Sequence, residues 1–370
     1  MRLLVTGGAG FIGSNLIELL LDQPEVEQLV NLDCLTYAGH LANLRAVEHH
    51  PHYRFLQIDL RDRDAVHQAL IDFSITHVLH LAAESHVDRS IAAPADFITT
   101  NIVGTFHLLE ACRGAWANMP DGRRFLHVST DEVYGSLGGE GRFTESTPYA
   151  PNSPYSASKA SSDMLVRAYH QTYGLPTIIT NCSNNYGPRQ FPEKLIPVLI
   201  QRSLARQPLP IFGDGLHVRD WLHVRDHCDA LWQVLHRGRL GETYNIGAEN
   251  EWANLRLAEW VCDLVDELAP QLGGNSRELI SHVEDRPGND RRYAIDATKV
   301  RTELGWKPVK DFRSGLRETI AWYIDHQDWV REVSRGHLQP IPVDAVHPVA
   351  LSLLGRTSVY FGSHFSQFLA

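Results

Sequence analysis

Asp131 and Glu132 are neighbouring carboxylates inside the stretch Ser129-Thr130-Asp131-Glu132-Val133-Tyr134-Gly135. If both ionised in a dry site they would repel each other, so their pKa values are pushed apart. One can then donate a proton while the other accepts one. Tyr155 and Lys159 stand four apart, which on a helix puts them on one face. A cation beside a phenol lowers its pKa from about 10 toward neutrality and makes it a usable base. A third stretch binds rather than reacts. Thr6-Gly7-Gly8-Ala9-Gly10-Phe11-Ile12-Gly13 has glycines at 7, 10 and 13, so the backbone can approach a pyrophosphate at a helix N-terminus. Asp33 follows Gly13 by 20 residues. A carboxylate there accepts bonds from the ribose hydroxyls of an adenosine and repels a 2′-phosphate, which favours NAD over NADP.

These residues need a scaffold, and the chain supplies an alternating one. Strands are expected over residues 2–6, 28–33, 53–59, 77–82, 125–129 and 177–180, and helices over 11–21, 65–73, 94–112 and 154–173. Near-continuous apolar strands separated by helices indicate a parallel sheet covered on both faces. Ligands collect at the carboxyl ends of such strands. Asp59 and Leu60 should therefore meet the adenine, and Leu81, Ala82 and Ala83 should lie along the nicotinamide side. After residue 184 the prolines at 188, 192, 197, 208 and 210 break the chain into short elements. The expected fold is α/β: a Rossmann-type doubly wound parallel sheet with a smaller mixed α/β C-terminal substrate domain. Residues 1–183 would bind NAD and carry the catalytic groups, residues 184–333 would mainly hold substrate, and 334–370 would form a tail.

Of the 370 residues 43% are hydrophobic and 21% charged, which fits a soluble protein with a sizeable core. The net charge of −10 argues against nucleic acid or an anionic membrane as partner. No run of 18 apolar residues occurs, and the chain enters a strand at once, so neither a membrane span nor a signal peptide is expected. The five cysteines form no CxxC pair and read as reduced thiols of a cytoplasmic protein. His49, His50 and His52 surround Pro51, but no carboxylate or Cys completes a ligand set, so no metal is expected.

Longer motifs narrow the reading. Residues 80–90 (HLAAESHVDRS), TDEVYG at 130–135, LTYAG at 35–39, SNNYGP at 183–188, FPEKLIP at 191–197, RDWLHV at 219–224, YNIG at 244–247 and DRPG at 285–288 resemble the dTDP-glucose 4,6-dehydratases of the extended short-chain dehydrogenase/reductase superfamily. The resemblance covers residues 1–333. It implies conversion of a nucleoside-diphosphate glucose, dTDP-glucose first among them, to its 4-keto-6-deoxy product with loss of water, NAD being used and regenerated within one turnover. It also implies roles. Tyr155 takes the C4 hydroxyl proton, Lys159 tunes Tyr155 and binds the nicotinamide ribose, and Thr130 holds the substrate oxygen. Glu132 removes the C5 proton and Asp131 protonates the departing C6 hydroxyl. Glu84 and Thr130 face the hexose, Asn184 binds substrate and Asn185 lies near the cofactor. Lys194 with its neighbour Leu195, Arg219 and Arg286 suit a diphosphate, Asn254 a phosphate or the nucleoside, and Pro210, Ile211 and Phe212 the base and ribose.

The sequence departs from that family at Asn181, where an arginine is usual, and at Arg189, where an aromatic is common. Phe212 replaces a common tyrosine, and Asn289 replaces the histidine of RPGHD. A UDP-glucose 4,6-dehydratase, a 4-epimerase or a UDP-glucuronate decarboxylase shares the glycine loop, Tyr155 and Lys159. Epimerisation, however, needs no acid for a leaving hydroxyl, so the Asp131–Glu132 pair discriminates against it. An inactive NAD-binding regulatory protein is disfavoured by the intact Thr130, Asp131, Glu132, Tyr155 and Lys159. The resemblance further implies a homodimer joined through the helices at 94–112 and 154–173. The tail from 334, nearly uncharged and Pro-interrupted, is compatible with packing on the body, extending an interface or aggregation.

Overall fold

Strands that read as unbroken apolar runs have no face for water, and here both faces are covered. The computed structural model describes residues 1–117 and 122–335. The first half runs β1 (Arg2–Thr6), α1 (Phe11–Leu21), β2 (Gln28–Leu32), β3 (Tyr53–Leu56), α2 (Arg63–Asp72), β4 (His77–His80), α3 (Val87–Ala92), α4 (Pro94–Phe97), α5 (Thr105–Trp116), β5 (Arg124–Thr130), α6 (Pro154–Tyr173) and β6 (Thr177–Cys182). The second half adds β7 (Asn184–Tyr186), α7 (Leu195–Leu204), β8 (Leu209–Phe212), β9 (Val218–His223), α8 (Val224–Arg237), β10 (Thr243–Ile246), β11 (Glu251–Ala253), α9 (Asn254–Leu268), β12 (Ile280–Val283), α10 (Thr298–Leu304), α11 (Phe312–Asp325) and α12 (Gln327–Ser334).

Among the described residues, seven strands form one sheet in the order β10-β6-β5-β4-β1-β2-β3, every pair parallel. The order reverses beside β1, where β2 lies on one side and β4 on the other. This is the switch point at which ligands bind in such sheets. One face packs Leu16, Ile17 and Leu20 of α1 with Leu231, Val234 and Leu235 of α8. The other packs Val66, Leu108, Leu109 and Val166. A third core, with Ile196, Leu199, Leu257, Val261, Leu316 and Ile320, holds the small sheet β11-β9-β7 and the pair β12-β8.

The expected doubly wound sheet is present, with three local differences. Strands β2, β3 and β4 end at 32, 56 and 80, earlier than their apolar runs suggest. The residues freed from the ladder, Asp33, Asp59–Leu60 and Leu81–Ala83, spread over the carboxyl edge instead. The helix expected over 94–112 opens into a wide π-type turn at Ile98–Gly104. Its loosened Asn101 carbonyl accepts hydroxyls of Thr105 (2.5 Å) and Ser162 (2.7 Å), which replace the usual helical partner. Residues 314–330, which read in sequence as one helix, break at His326 into α11 and α12, and Gln327 Nε2 donates to the Tyr323 carbonyl at 2.6 Å. The tail from 336 onward lies outside the described residues.

Candidate active site

The cofactor end is backbone geometry. Gly7 has φ 72°, and a Cβ on it would stand 2.7 Å from Ala82 backbone atoms. A Cβ on Gly13 would stand 2.3 Å from the Gly7 carbonyl oxygen. Only glycine lets β1, α1 and β4 come this close. Gly10 caps α1 without a side-chain hydrogen bond, and no acidic residue stands in the first turn, so the positive helix end faces the pocket. Asp33 accepts the Ala9 N–H at 2.9 Å and the Leu35 N–H at 2.8 Å. Burial raises its pKa, and those two bonds act against the rise. Asp59 is held below the usual carboxylate range by Arg61, whose Nε lies 3.0 Å away.

One cavity of about 540 Å³ joins this loop to the catalytic residues. Its wall includes Gly7, Gly10, Phe11, Ile12, Gly13, Asp33, Asp59, Leu60, Leu81, Ala82, Ala83 and Asn185, the whole expected cofactor set with Tyr155 and Lys159. Glycine cradle, bare helix end and buried carboxylate together fit NAD.

The groups expected to be catalytic come from two elements that meet side by side. β5 ends at Thr130 and turns sharply through Asp131–Tyr134, with Thr130 Oγ1 accepting the Glu132 N–H at 3.3 Å and donating to Asp131 Oδ1 at 3.4 Å. α6 starts at a Ser153–Ser156 capping box followed by Pro154, which fixes Tyr155 in its first turn. The two carboxyls differ. Asp131 is 1% exposed, and its Oδ2 has no hydrogen-bond partner. Burial, then Glu132 and Asp220, drive its pKa well up, with Arg219 opposing. Burial also raises Glu132, but Arg286, Arg219 and Lys194 all act to lower it. Both carboxyls are thus raised, Asp131 the more strongly, and the opposing cations gather chiefly on Glu132. Tyr155 is pushed well above its ordinary range by burial and then Glu132. The Lys159 ammonium donates to the Val128 carbonyl at 2.9 Å and makes no hydrogen bond to Tyr155, so the expected direct lowering of the phenol is not present in this arrangement.

Toward the substrate end, Glu84, Thr130, Glu132, Asn184, Lys194 and Leu195 line the same cavity. Both backbone groups of Glu84 bond the Asn101 amide, at 2.8 and 3.0 Å. Lys194 donates to the Ser85 carbonyl at 2.8 Å, and Asn184 Oδ1 is buried without a partner. Asn185 Oδ1 is 2.9 Å from His227 Nδ1. Arg219 lies over the Tyr293 ring at 4.2 Å and shares Asn289 Oδ1 with Arg286, at 3.2 and 3.3 Å. Asn254 opens α9 with its Oδ1 buried and unpartnered. Asp131, Arg219, Arg286, Asn254, Pro210, Ile211 and Phe212 do not line the cavity. Ile211 is turned into the third core, while Pro210 and Phe212 are half-buried.

Sequence reasoning passed over Glu193, although it adjoins Lys194. It accepts the Tyr37 hydroxyl at 2.9 Å and faces Arg89 at 3.8 Å and His86 at 3.7 Å. The signal was weak because Tyr37 is 156 positions away. Asn101 was hidden inside a helix read as regular.

The family model described as GDP-mannose 4,6 dehydratase matches residues 4–319. The chain is 54% identical over 343 residues to a dTDP-glucose 4,6-dehydratase of Neisseria meningitidis serogroup B, covering 90% of this chain and 96% of the relative. It is similar to the crystal structure of the dTDP-glucose 4,6-dehydratase DesIV of Streptomyces venezuelae with NAD and TYD bound, at TM-score 0.84 and 45% identity, covering 90% and 100% of the two chains. A UDP-glucose 4-epimerase from Thermus thermophilus in complex with NAD is also similar, at TM-score 0.77 and 31% identity over 88% and 100%.

Proposed function

The chain belongs to the dTDP-glucose 4,6-dehydratases, and we propose that its two unequal carboxyls, buried Asp131 and half-buried Glu132, divide the elimination between them. The enzyme is an NAD-dependent hydro-lyase that converts dTDP-glucose to dTDP-4-keto-6-deoxyglucose. The Gly7–Gly13 loop, Asp33, Tyr155 and Lys159 would hold NAD, which when bound would supply a reversible two-electron acceptor for hydride leaving C4 and added at C6. The chain does the rest. Tyr155, hydrogen-bonded with Thr130, takes the C4 hydroxyl proton as a phenolate, a form that the positive nicotinamide ring of bound NAD would favour against the burial that raises its pKa. Loss of hydrogen from C4 leaves a ketone, which acidifies C5. Glu132, with three cations around it, removes the C5 proton, and a proton returns to C5 once hydride has added at C6. Asp131, kept protonated by burial and carboxylate neighbours, delivers its proton to the leaving C6 hydroxyl. Lys159 fixes the nicotinamide ribose from the Tyr155 face of α6.

Asn184 and Glu84 hold the hexose. Lys194, Leu195, Arg219 and Arg286 take the diphosphate, and the shared Asn289 oxygen aims both arginines at one region. Asn254, Pro210 and Phe212 serve the nucleoside, with Ile211 buried behind them in the third core. Residues 1–183 act as the cofactor domain and 184–333 as mainly the substrate domain, the latter lending β10 and α8 to the first sheet.

The asymmetry of Asp131 and Glu132 carries this reading. Incubating the protein with dTDP-glucose and with UDP-glucose should give a 4-keto-6-deoxy product and no steady release of NADH, with dTDP-glucose preferred. Epimerised sugar alone would overturn it. We infer a homodimer as well, because Ile98 (52% exposed), Phe106 and Met164 (51%) leave apolar surface on the neighbouring helices α5 and α6 and the turn before α5. Sedimentation should find a dimer, and a dilute active monomer would contradict it. Among the described residues no helix is long and apolar enough to cross a membrane. The five unpaired thiols support a cytoplasmic location.

A further inference from the structure

Tyr155, Lys159 and Asp163 form one stripe along α6 at successive four-residue steps. The first two serve the reaction. The third is as deeply buried as they are, at 1% exposure, and no step above uses it. Its Oδ2 accepts two hydroxyls, Ser129 Oγ and Tyr149 Oη, each at 2.9 Å. Ser129 directly precedes Thr130, so the carboxylate ties the end of β5 to the helix carrying Tyr155. Its Oδ1 lies 3.1 Å from His127 Nε2 without the alignment of a hydrogen bond. Asp163 is also the main opposing influence on the desolvation that draws the Lys159 ammonium toward neutrality.

We propose that Asp163 is a positioning residue of the dehydratase reaction: its carboxylate fixes β5 against α6 and holds Lys159 as an ammonium beside the cofactor pocket. The inference rests on the dehydratase reading.

The surroundings leave Asp163 as the charge that matters. On its own helix it faces Lys159. From β5 it faces His127, whose pKa burial drives well below its ordinary value, so that the imidazole is neutral. The phenols of Tyr149 and Tyr134 lie nearby, both raised by burial and by Asp163 itself. On β6 the Cys182 thiol, raised by burial, acts on Lys159, and on β4 the buried His80 faces His127 at 5.2 Å between ring centres. Burial lifts the Asp163 carboxyl to about 7, with Lys159 and the two hydroxyls opposing.

Asp163→Asn keeps an oxygen to accept both hydroxyls, removes the charge and turns an amide N–H toward the neutral His127 Nε2. Expected is a fall in kcat of about tenfold or more, with KM for dTDP-glucose changed less than about threefold. The alkaline limb of the kcat profile should move down by about one pH unit, because Lys159 loses its proton sooner. NAD content of the purified protein and its melting temperature should stay near wild type. An alkaline limb at the wild-type position, with NAD held or with NAD lost, overturns the proposal. Tyr149→Phe keeps the charge but removes one supporting donor, so it must raise the acid limb and leave the alkaline limb in place. If Asp163→Asn does not fold, an unmoved acid limb in Tyr149→Phe overturns the proposal. Wild-type protein that makes no 4-keto-6-deoxy sugar refutes the dehydratase reading instead, which separates the two failures.

Discussion

At the cofactor end, recognition is written in the backbone. Gly7 and Gly13 leave gaps that a single methyl would close, and Asp33 is held by N–H groups of Ala9 and Leu35. At the proposed substrate end, the candidate residues are side chains brought together from far apart in sequence. Arg219 and Arg286 share Asn289, Tyr37 reaches Glu193, and Lys194 reaches the Ser85 carbonyl. The first arrangement tolerates no added atom but depends on few partners. The second can be rebuilt piece by piece, which is how one scaffold serves dehydratases and epimerases alike.

The largest expected effect lies where the two ends meet. Glu132→Gln and Asp131→Asn should each slow product formation by about a hundred- to ten-thousand-fold, the range of lost general acid–base catalysis. NAD retention should be unchanged, since neither residue belongs to the glycine loop. Full turnover by either variant would remove it from the elimination. Gly13→Ala comes next. Its methyl must displace the Gly7 carbonyl, a clash of the kind that costs about 1–3 kcal/mol, so NAD should bind roughly ten- to a hundredfold more weakly. Equilibrium dialysis would read this directly, and wild-type affinity would show that the cradle has room to spare. Arg286→Ala should do the opposite: NAD content intact and KM for dTDP-glucose raised by about tenfold through a lost charge-assisted contact. If both variants weakened the same ligand, the division between the two ends would fall.

How much of this was legible depended on the same division. The glycine loop and Asp33 could be read because local spacing fixes them, and the sheet could be read from its apolar runs. Tyr155 and Lys159 followed from one helical step. Motif resemblance named Arg219, Arg286 and Asn254, but not how they are held, because Asn289, Tyr293 and the buried Asn254 oxygen depend on contacts across the fold. The wide turn at Asn101 was invisible, since its cause is the Thr105 and Ser162 hydroxyls rather than any break in periodicity. Deep burial of the acid–base groups also changes their chemistry in ways that spacing cannot report. The expected Lys159–Tyr155 contact gave way to a bond from Lys159 to Val128.

A seam residue gives the smallest effect and the sharpest test of independence. His227 belongs to α8, from the second half of the chain, yet it is fully buried against Asn185 at the cofactor pocket, and burial lowers its pKa to about 3. An unfolded histidine titrates near about 6.5. Below that value the unfolded chain binds a proton that the folded chain refuses, so folding stability falls as pH drops from about 6.5 toward 3. The slope from this one group approaches about 1.4 kcal/mol per pH unit. His227→Gln removes the titration and should flatten the acid side of the unfolding free-energy profile, read by denaturant melts at each pH, by that amount. Its amide can still meet Asn185, so NAD affinity at pH 8 should change little. If NAD affinity falls as far as it does in Gly13→Ala, the cofactor end is not self-sufficient in its backbone: it leans on a side chain supplied by the substrate half.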